Sequence, residues 1–256
     1  MKIRGERECQ HCGTRWSYYE TGAATCPDCG SLRSVGLDAE RRRHTDSPAE
    51  IDLTPHRSAL ADGADLVDVA GDVATDCRAY LRKRGFVRSG DLLALDDQYL
   101  AVGELRTAIA DYDRDRRVGV DRGHLGDENA ERYLLELLNG ADAGERPAPN
   151  RVPDSLAPAR GLAAARAVEA YREDVSAYLD DEPDHAAKRL LERIRDQEKR
   201  VQALDGDVAP EVAELLIEAC RALERYLNGD EEPGRAEALA TVERHLDDLD
   251  GFENLD

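Results

Sequence analysis

Two short runs constrain this chain more than anything else in its 256 residues: Cys9-Gln10-His11-Cys12-Gly13 and Cys26-Pro27-Asp28-Cys29-Gly30. Each C-x-x-C turn brings two sulfurs within reach of one ion, and zinc takes four soft ligands in a tetrahedron. The glycine after each second cysteine permits a φ > 0 turn, which lets backbone N–H groups point back at the thiolates. Thirteen residues separate the knuckles, enough for a hairpin with Thr14 to Glu20 as one strand and a turn at 21–24. Ser31 to Val35 supplies a third strand. The spacing predicts a small N-terminal β zinc ribbon over residues 1–36, with Cys9, Cys12, Cys26 and Cys29 holding one structural Zn2+ per chain.

Other uses of the same cysteines fit less well. Two disulfides need an oxidising compartment, and Met1-Lys2-Ile3-Arg4-Gly5-Glu6 has no apolar stretch of the kind that opens a signal peptide. A thioredoxin-like motif needs its C-x-x-C on a βαβ unit. Cys77 and Cys220 fall on apolar stripes of separate helices and read as small core residues. Trp16, Tyr18 and Tyr19 follow the first knuckle. A ribbon of this size has almost no other core, so at least one of them packs against the knuckles; the others are free to meet a partner.

Beyond the ribbon the apolar spacing is helical. Residues 37–63 carry Arg41-Arg42-Arg43 and two prolines, and read as an extended linker with a solvated charge block. A helical domain over 64–181 follows, with stripes such as Leu66, Val69, Val73, Cys77 and Tyr80, then Leu92, Leu95, Tyr99, Val102, Leu105, Ile109 and Tyr112. A C-terminal antiparallel helical bundle spans 184–250, with Pro210 near the start of one helix and Gly229 past its end. The fold class is therefore a β zinc ribbon followed by an all-α helical-bundle body, with no strands expected after residue 64. No run approaches 18 apolar residues, so no membrane helix is expected and the location reads as cytoplasmic.

The net charge is −20, and only four of the 35 basic residues are lysine. An acidic, arginine-for-lysine surface suits a salt-rich cytoplasm, where short screening lengths make self-repulsion cheap. The charge is uneven. Residues 1–43 carry eight Lys/Arg against six Asp/Glu, so the acidity lies in the body.

The head from Arg7 through Cys9-Gln10-His11-Cys12-Gly13-Thr14-Arg15-Trp16 to Cys26-Pro27-Asp28-Cys29-Gly30-Ser31 resembles a transcription factor IIB-type zinc ribbon. With the acidic helices behind it, the whole chain resembles a haloarchaeal family of zinc-ribbon-plus-helix proteins of uncharacterised function. The resemblance implies metal binding. It does not imply initiation activity, because the cyclin-like repeats of such factors are missing. The ribbon is also similar to the rubredoxin-like iron head of rubrerythrins, whose bundle holds two irons on inward Glu and Glu-x-x-His pairs. The one Glu-x-x-His here, Glu182-Pro183-Asp184-His185, is broken by proline.

The nucleotide, zincin and hydrolase signatures are absent. One glycine-rich polar stretch, Gly119 to Glu128 with His124, reads as an ordinary turn, with a catalytic or cation site as the alternative. Two classes of function remain. One is a non-enzymatic adaptor whose ribbon docks through Arg15, Trp16, Tyr18 and Arg33, on a protein in preference to nucleic acid. The other is an enzyme of scattered acids with an accessory ribbon.

Overall fold

The structure, a computed structural model, describes residues 1–118, 128–229 and 233–252. The ribbon is built from β1 (Lys2–Ile3), β2 (Glu6–Cys9), β3 (Arg15–Ser17), α1 (Tyr18–Thr21) and β4 (Ser34–Gly36). β2 lies between β3 and β4, antiparallel to both, with Arg7 opposite Trp16 on one side and Gly36 on the other. The expected strand from Thr14 to Glu20 is thus shorter, because the chain turns into α1 at Tyr18 and leaves it through Gly22 at φ 63°. The ribbon's own core is three residues, Cys9, Trp16 and Cys26.

The body is helical, as expected: α2 (Thr54–Ala61), α3 (Leu66–Leu81), α4 (Asp97–Val118), α5 (Glu128–Gly140), α6 (Ala157–Asp181), α7 (His185–Ala203), α8 (Pro210–Asn228) and α9 (Gly234–Phe252). Local sequence sets the ends. Asp68 accepts the Asp65 N–H (3.2 Å) at the start of α3, and Asp184 caps α7 by accepting from Ala187 N (2.9 Å). Leu66, Val69, Val73, Cys77 and Tyr80 are all buried, as spacings of three and four on one helix face require. One continuous core takes in side chains from Leu53 to Leu249, so the expected units 64–181 and 184–250 share their interior.

Three expectations are corrected. Residues 37–63 are not a free linker: they contain β5 (Arg42–Arg43) and α2, and bury His44, Asp46 and Leu53. The body is not free of strands. A hairpin of β6 (Val87–Arg88) and β7 (Asp91–Leu92) precedes α4, turning through Ser89 and Gly90 with φ of 56° and 91°. Leu92 and Leu95 are buried, but they lie before α4 and not on it.

The hairpin and β5 join the ribbon to the body. β1 pairs with β5, so the first residues of the chain run antiparallel to the segment that follows the ribbon. The Gly90 N–H donates to Arg43 O (2.8 Å) and the Thr45 N–H to Val87 O (2.8 Å), which carries the backbone ladder on to the hairpin. Asp181, at the end of α6, receives Lys2 Nζ (2.6 Å) and Arg43 Nε (2.8 Å). Asp174, two turns earlier, accepts from Thr45 Oγ1 and Phe86 N, both at 2.6 Å. Asp46 is fully buried and takes Arg84 Nε (3.1 Å), Arg88 Nε (3.0 Å) and the Gly85 N–H (3.1 Å). Of the three arginines expected as a solvated block, Arg43 is therefore part of a structural clamp.

Buried charge also organises the centre of the body. Arg160 on α6, 2% exposed, donates to Glu104 on α4 (3.1 Å), Tyr133 Oη on α5 (3.0 Å), Pro147 O (2.9 Å) and Glu214 on α8 (2.7 Å). Arg146 adds a two-pronged pair to Glu214, at 2.8 and 2.7 Å. Truncating one member of such a network leaves its partner charged and dry, which costs about 3–5 kcal/mol. Glu104→Ala should therefore lower Tm by roughly 10 °C in a thermal melt, given about 2–4 °C per kcal/mol for a chain of this size.

The clamp generates a second expectation. The Arg43 guanidinium, then the Lys2 ammonium, hold the Asp181 carboxyl down at about 2. A depressed carboxylate stabilises the fold above its ordinary pKa, and that contribution fades as pH falls from about 4 towards 2. Asp181→Asn should remove it already at neutral pH. Hydrogen exchange at the His44 and Gly90 amides, both of which donate across the seam, is expected to quicken while the core of α8 stays protected.

Candidate metal centre

The two knuckles adopt one conformation twice. The Gly13 N–H donates to Cys9 O and the Gly30 N–H to Cys26 O, both at 3.0 Å, with φ of 79° and 70° at the glycines. The Cys9 N–H reaches Thr14 O and the Cys26 N–H reaches Ser31 O, both at 2.9 Å. These turns aim four sulfurs at one point. All four Sγ atoms lie within 4.8 Å of one another, with Cys9–Cys29 at 3.6 Å and Cys12–Cys26 at 3.5 Å. A tetrahedron with metal–sulfur bonds of about 2.3 Å has edges of about 3.8 Å, so the quartet fits one ion. Cys9 and Cys26 are buried in the ribbon core, whereas Cys12 and Cys29 face outward.

The electrostatics suit a cation. Backbone N–H groups of Cys12 and His11 draw the Cys9 thiol down to about 6 despite its burial. The N–H of Cys29, with that of Asp28, lowers Cys26 likewise. For Cys29 the Ser31 N–H acts in the same direction, but the other three sulfurs and burial outweigh it and push the thiol up to about 12. Four sulfurs this close cannot all ionise by themselves; a bound cation removes the conflict.

Among the described residues, this quartet is the one group of His, Cys, Asp or Glu side chains placed to hold a metal. Cys77 and Cys220 are buried thiols of the core, both with raised pKa from burial, to about 12 for Cys77. The broken Glu182–His185 motif lies at the entry to α7, where Asp184 also receives Tyr226 Oη (2.9 Å) and Arg235 (2.6 Å). The stretch Gly119 to Asp127 lies outside the described residues, and Glu128 opens α5.

The four expected partner-binding residues separate. Trp16 is 7% exposed, packs on Cys9 and Cys26, and donates its indole N–H to Ala23 O (3.0 Å), so it is part of the ribbon core. Tyr18 is half-buried, edge-on to His44 with ring centroids 5.9 Å apart, and Tyr19 lies 4.9 Å from the same ring. Both tyrosines belong to the join with the body. Arg15 is exposed and paired with Glu8 (2.6 Å), and Arg33 is exposed. Sequence reasoning missed Leu32, Val35 and Leu37, which are 77%, 40% and 45% exposed along β4 and its flanks. Three large apolar residues in six positions, on a strand too short for the core to claim them all, was the available signal.

A family model describing a family of unknown function, DUF7117, matches residues 1–246. The chain belongs to that family. The match takes in the ribbon and the body through most of α9 as one unit. No curated protein and no solved structure matches the chain. No helix among the described residues is long and apolar enough to cross a membrane.

Removal of the ion should be selective. Structural sites of this kind contribute about 10–16 kcal/mol of apparent binding energy, and a three-residue core cannot replace it. Chelation is expected to quench the signal of buried Trp16 as the ribbon opens, while the helical circular dichroism of the body is largely kept. Elemental analysis should give one ion per chain, and Cys12→Ser should lower that content; a variant that keeps it in full would mean a different ligand set.

Proposed function

We propose that this protein is a zinc-binding adaptor or regulatory protein, whose ribbon docks on a protein component of the transcription or translation machinery. The observation that carries the reading is the exposure of three large apolar residues within six positions, Leu32, Val35 and Leu37, with exposed Arg33 among them, on a ribbon that a metal would make rigid. β4 is an edge strand of its sheet, so this segment sits on a surface open to a partner. Exposed apolar residues grouped on a small rigid module mark an interaction surface, and the neighbouring Arg33 is of a type enriched at interface hot spots.

Electrostatics favours a protein over nucleic acid. The first 43 residues have a slight basic excess, eight Lys/Arg against six Asp/Glu. Four thiolates outweigh a divalent ion, however, so a loaded centre is itself anionic and cancels that excess. The body behind it is strongly acidic. A polyanion would gain little here, and less still in the concentrated salt that the acidic, lysine-poor composition suits.

Zinc is the metal that fits a purely structural role, since it has no redox chemistry. The second reading, a rubredoxin-like iron head that passes electrons, rests on the same cysteine geometry. It lacks support from the body, where no other metal-binding group exists among the described residues. Elemental analysis separates the two: zinc and a colourless protein are expected, and iron with visible thiolate charge-transfer bands would reverse the assignment.

The docking face is tested with the pair Leu32→Ser and Arg33→Ala in the full chain. Metal content should be unchanged, because both side chains are exposed and neither belongs to the cysteine quartet. Affinity capture from native cells is expected to recover polymerase or ribosomal subunits with the parent chain and about tenfold less with the pair. Equal recovery by both would place the interaction elsewhere on the molecule.

A further inference from the structure

Arginines of this protein that are drawn in from solvent almost all meet a carboxylate. Arg43, Arg57, Arg84, Arg146, Arg160 and Arg172 each have one within 3.1 Å. A different arrangement occurs where α3, α4 and α6 come together. Arg78 from α3, Arg106 from α4 and Arg166 from α6 line one cleft of about 590 Å³. Among the described residues, no carboxylate forms an ion pair with any of the three. The hydrogen bond seen is from Arg166 to Thr107 Oγ1, at 3.2 Å. Three acids share the lining: Asp111, already held by Arg114 (2.9 Å), the buried Asp115, and Asp205.

The three guanidiniums also act on one another. Arg106 is half-buried, and its pKa is lowered by desolvation first and then by the positive charges of Arg166 and Arg78. In a chain with 55 acidic residues, partners for three arginines are not scarce, so three guanidiniums that share one cleft with no ion pair to a described carboxylate call for a separate cause.

We infer that the cleft between α3, α4 and α6 binds a small, multiply charged oxyanion through Arg78, Arg106 and Arg166. Guanidinium forks match phosphate and carboxylate oxygens two at a time, and three forks converging from separate helices suit a ligand with several anionic groups. A volume of about 590 Å³ lies in the range that pockets for nucleotide-sized molecules occupy. Pro158, Ala159 and Leu162 supply an apolar wall beside the charges, as a ligand with an organic part would require. A long nucleic acid is disfavoured, because the anion must enter a concavity of a strongly acidic body. This inference is independent of the ribbon and its metal.

The test is titration of the full, metal-loaded chain with pyrophosphate, ATP and citrate, by calorimetry and thermal melting at several KCl concentrations. Saturable binding of at least one of them at one site per chain is expected, with a raised Tm and an affinity that falls as salt rises. The three arms tell a bare phosphate anion, a nucleotide and a polycarboxylate apart. Arg106→Gln should weaken binding by about 10- to 100-fold, while the ligand-free variant melts no lower than the parent, because a like-charge contact has been relieved. Arg151→Gln, outside the cleft, should bind as the parent does. No saturable binding of any of the three anions would overturn the assignment. So would unchanged binding by Arg106→Gln. A variant that binds nothing and also melts well below the parent would show that the arginines serve the fold; Arg78→Gln, at an exposed position, then decides, since the inference requires it to weaken binding at unchanged Tm.

Discussion

Four sulfurs held within 4.8 Å of one another repel as soon as more than one or two ionise, and little else in the ribbon resists that repulsion. Its core is Trp16 laid on two of the cysteines, and its strands are two to four residues long. The backbone turns at Gly13 and Gly30 point N–H groups at the sulfurs and lower Cys9 and Cys26, but the same proximity drives Cys29 the other way. A bound cation resolves both effects together. The fold of residues 1–36 and the occupation of the quartet are for this reason one equilibrium.

What the ribbon rests on follows from that. β1 is usable as a partner for β5 only while the ribbon keeps Lys2 and Ile3 in place, and β5 carries the ladder to the β6–β7 hairpin. Asp181 then ties both ends of this seam to the last turn of α6 through Lys2 and Arg43. The ribbon is thus seated and not tethered. Arguments from linker length and effective concentration, which govern flexible two-domain proteins, do not apply across residues 37–63.

The legible and illegible parts of the fold divide by the range of the interactions. The cysteine spacing was sufficient for the metal site because each knuckle is closed by bonds between residues at most five apart. The helices from α3 onward were legible because one-sided burial leaves a repeating local mark. The seam left no such mark. Thr45 is held by Asp174 and Arg43 by Asp181, at separations of 129 and 138 residues. The short α2 was hidden for a related reason: Arg57 fixes it to Asp142 (2.7 Å), a partner no local window contains. Trp16 packs on the knuckles because a core of three residues has no other large side chain to fill it.

Buried charge was the other feature that apolar stripes concealed. Glu104 occupies a core-facing position of α4 two residues after Val102, and nothing nearby in sequence announces Arg160 as its partner. Once the partners are known, the interior falls into two kinds of arginine. Those around Glu104, Glu198 and Asp46 repay their desolvation with paired carboxylates and hold helices in register. Those at the meeting of α3, α4 and α6 form no ion pair with a carboxylate among the described residues, and Arg166 donates instead to Thr107. A structural ion pair and a ligand site draw on the same chemistry, since in each a guanidinium fork receives an anion. In the first kind the anion is part of the chain, and in the second the chain leaves its place to be filled.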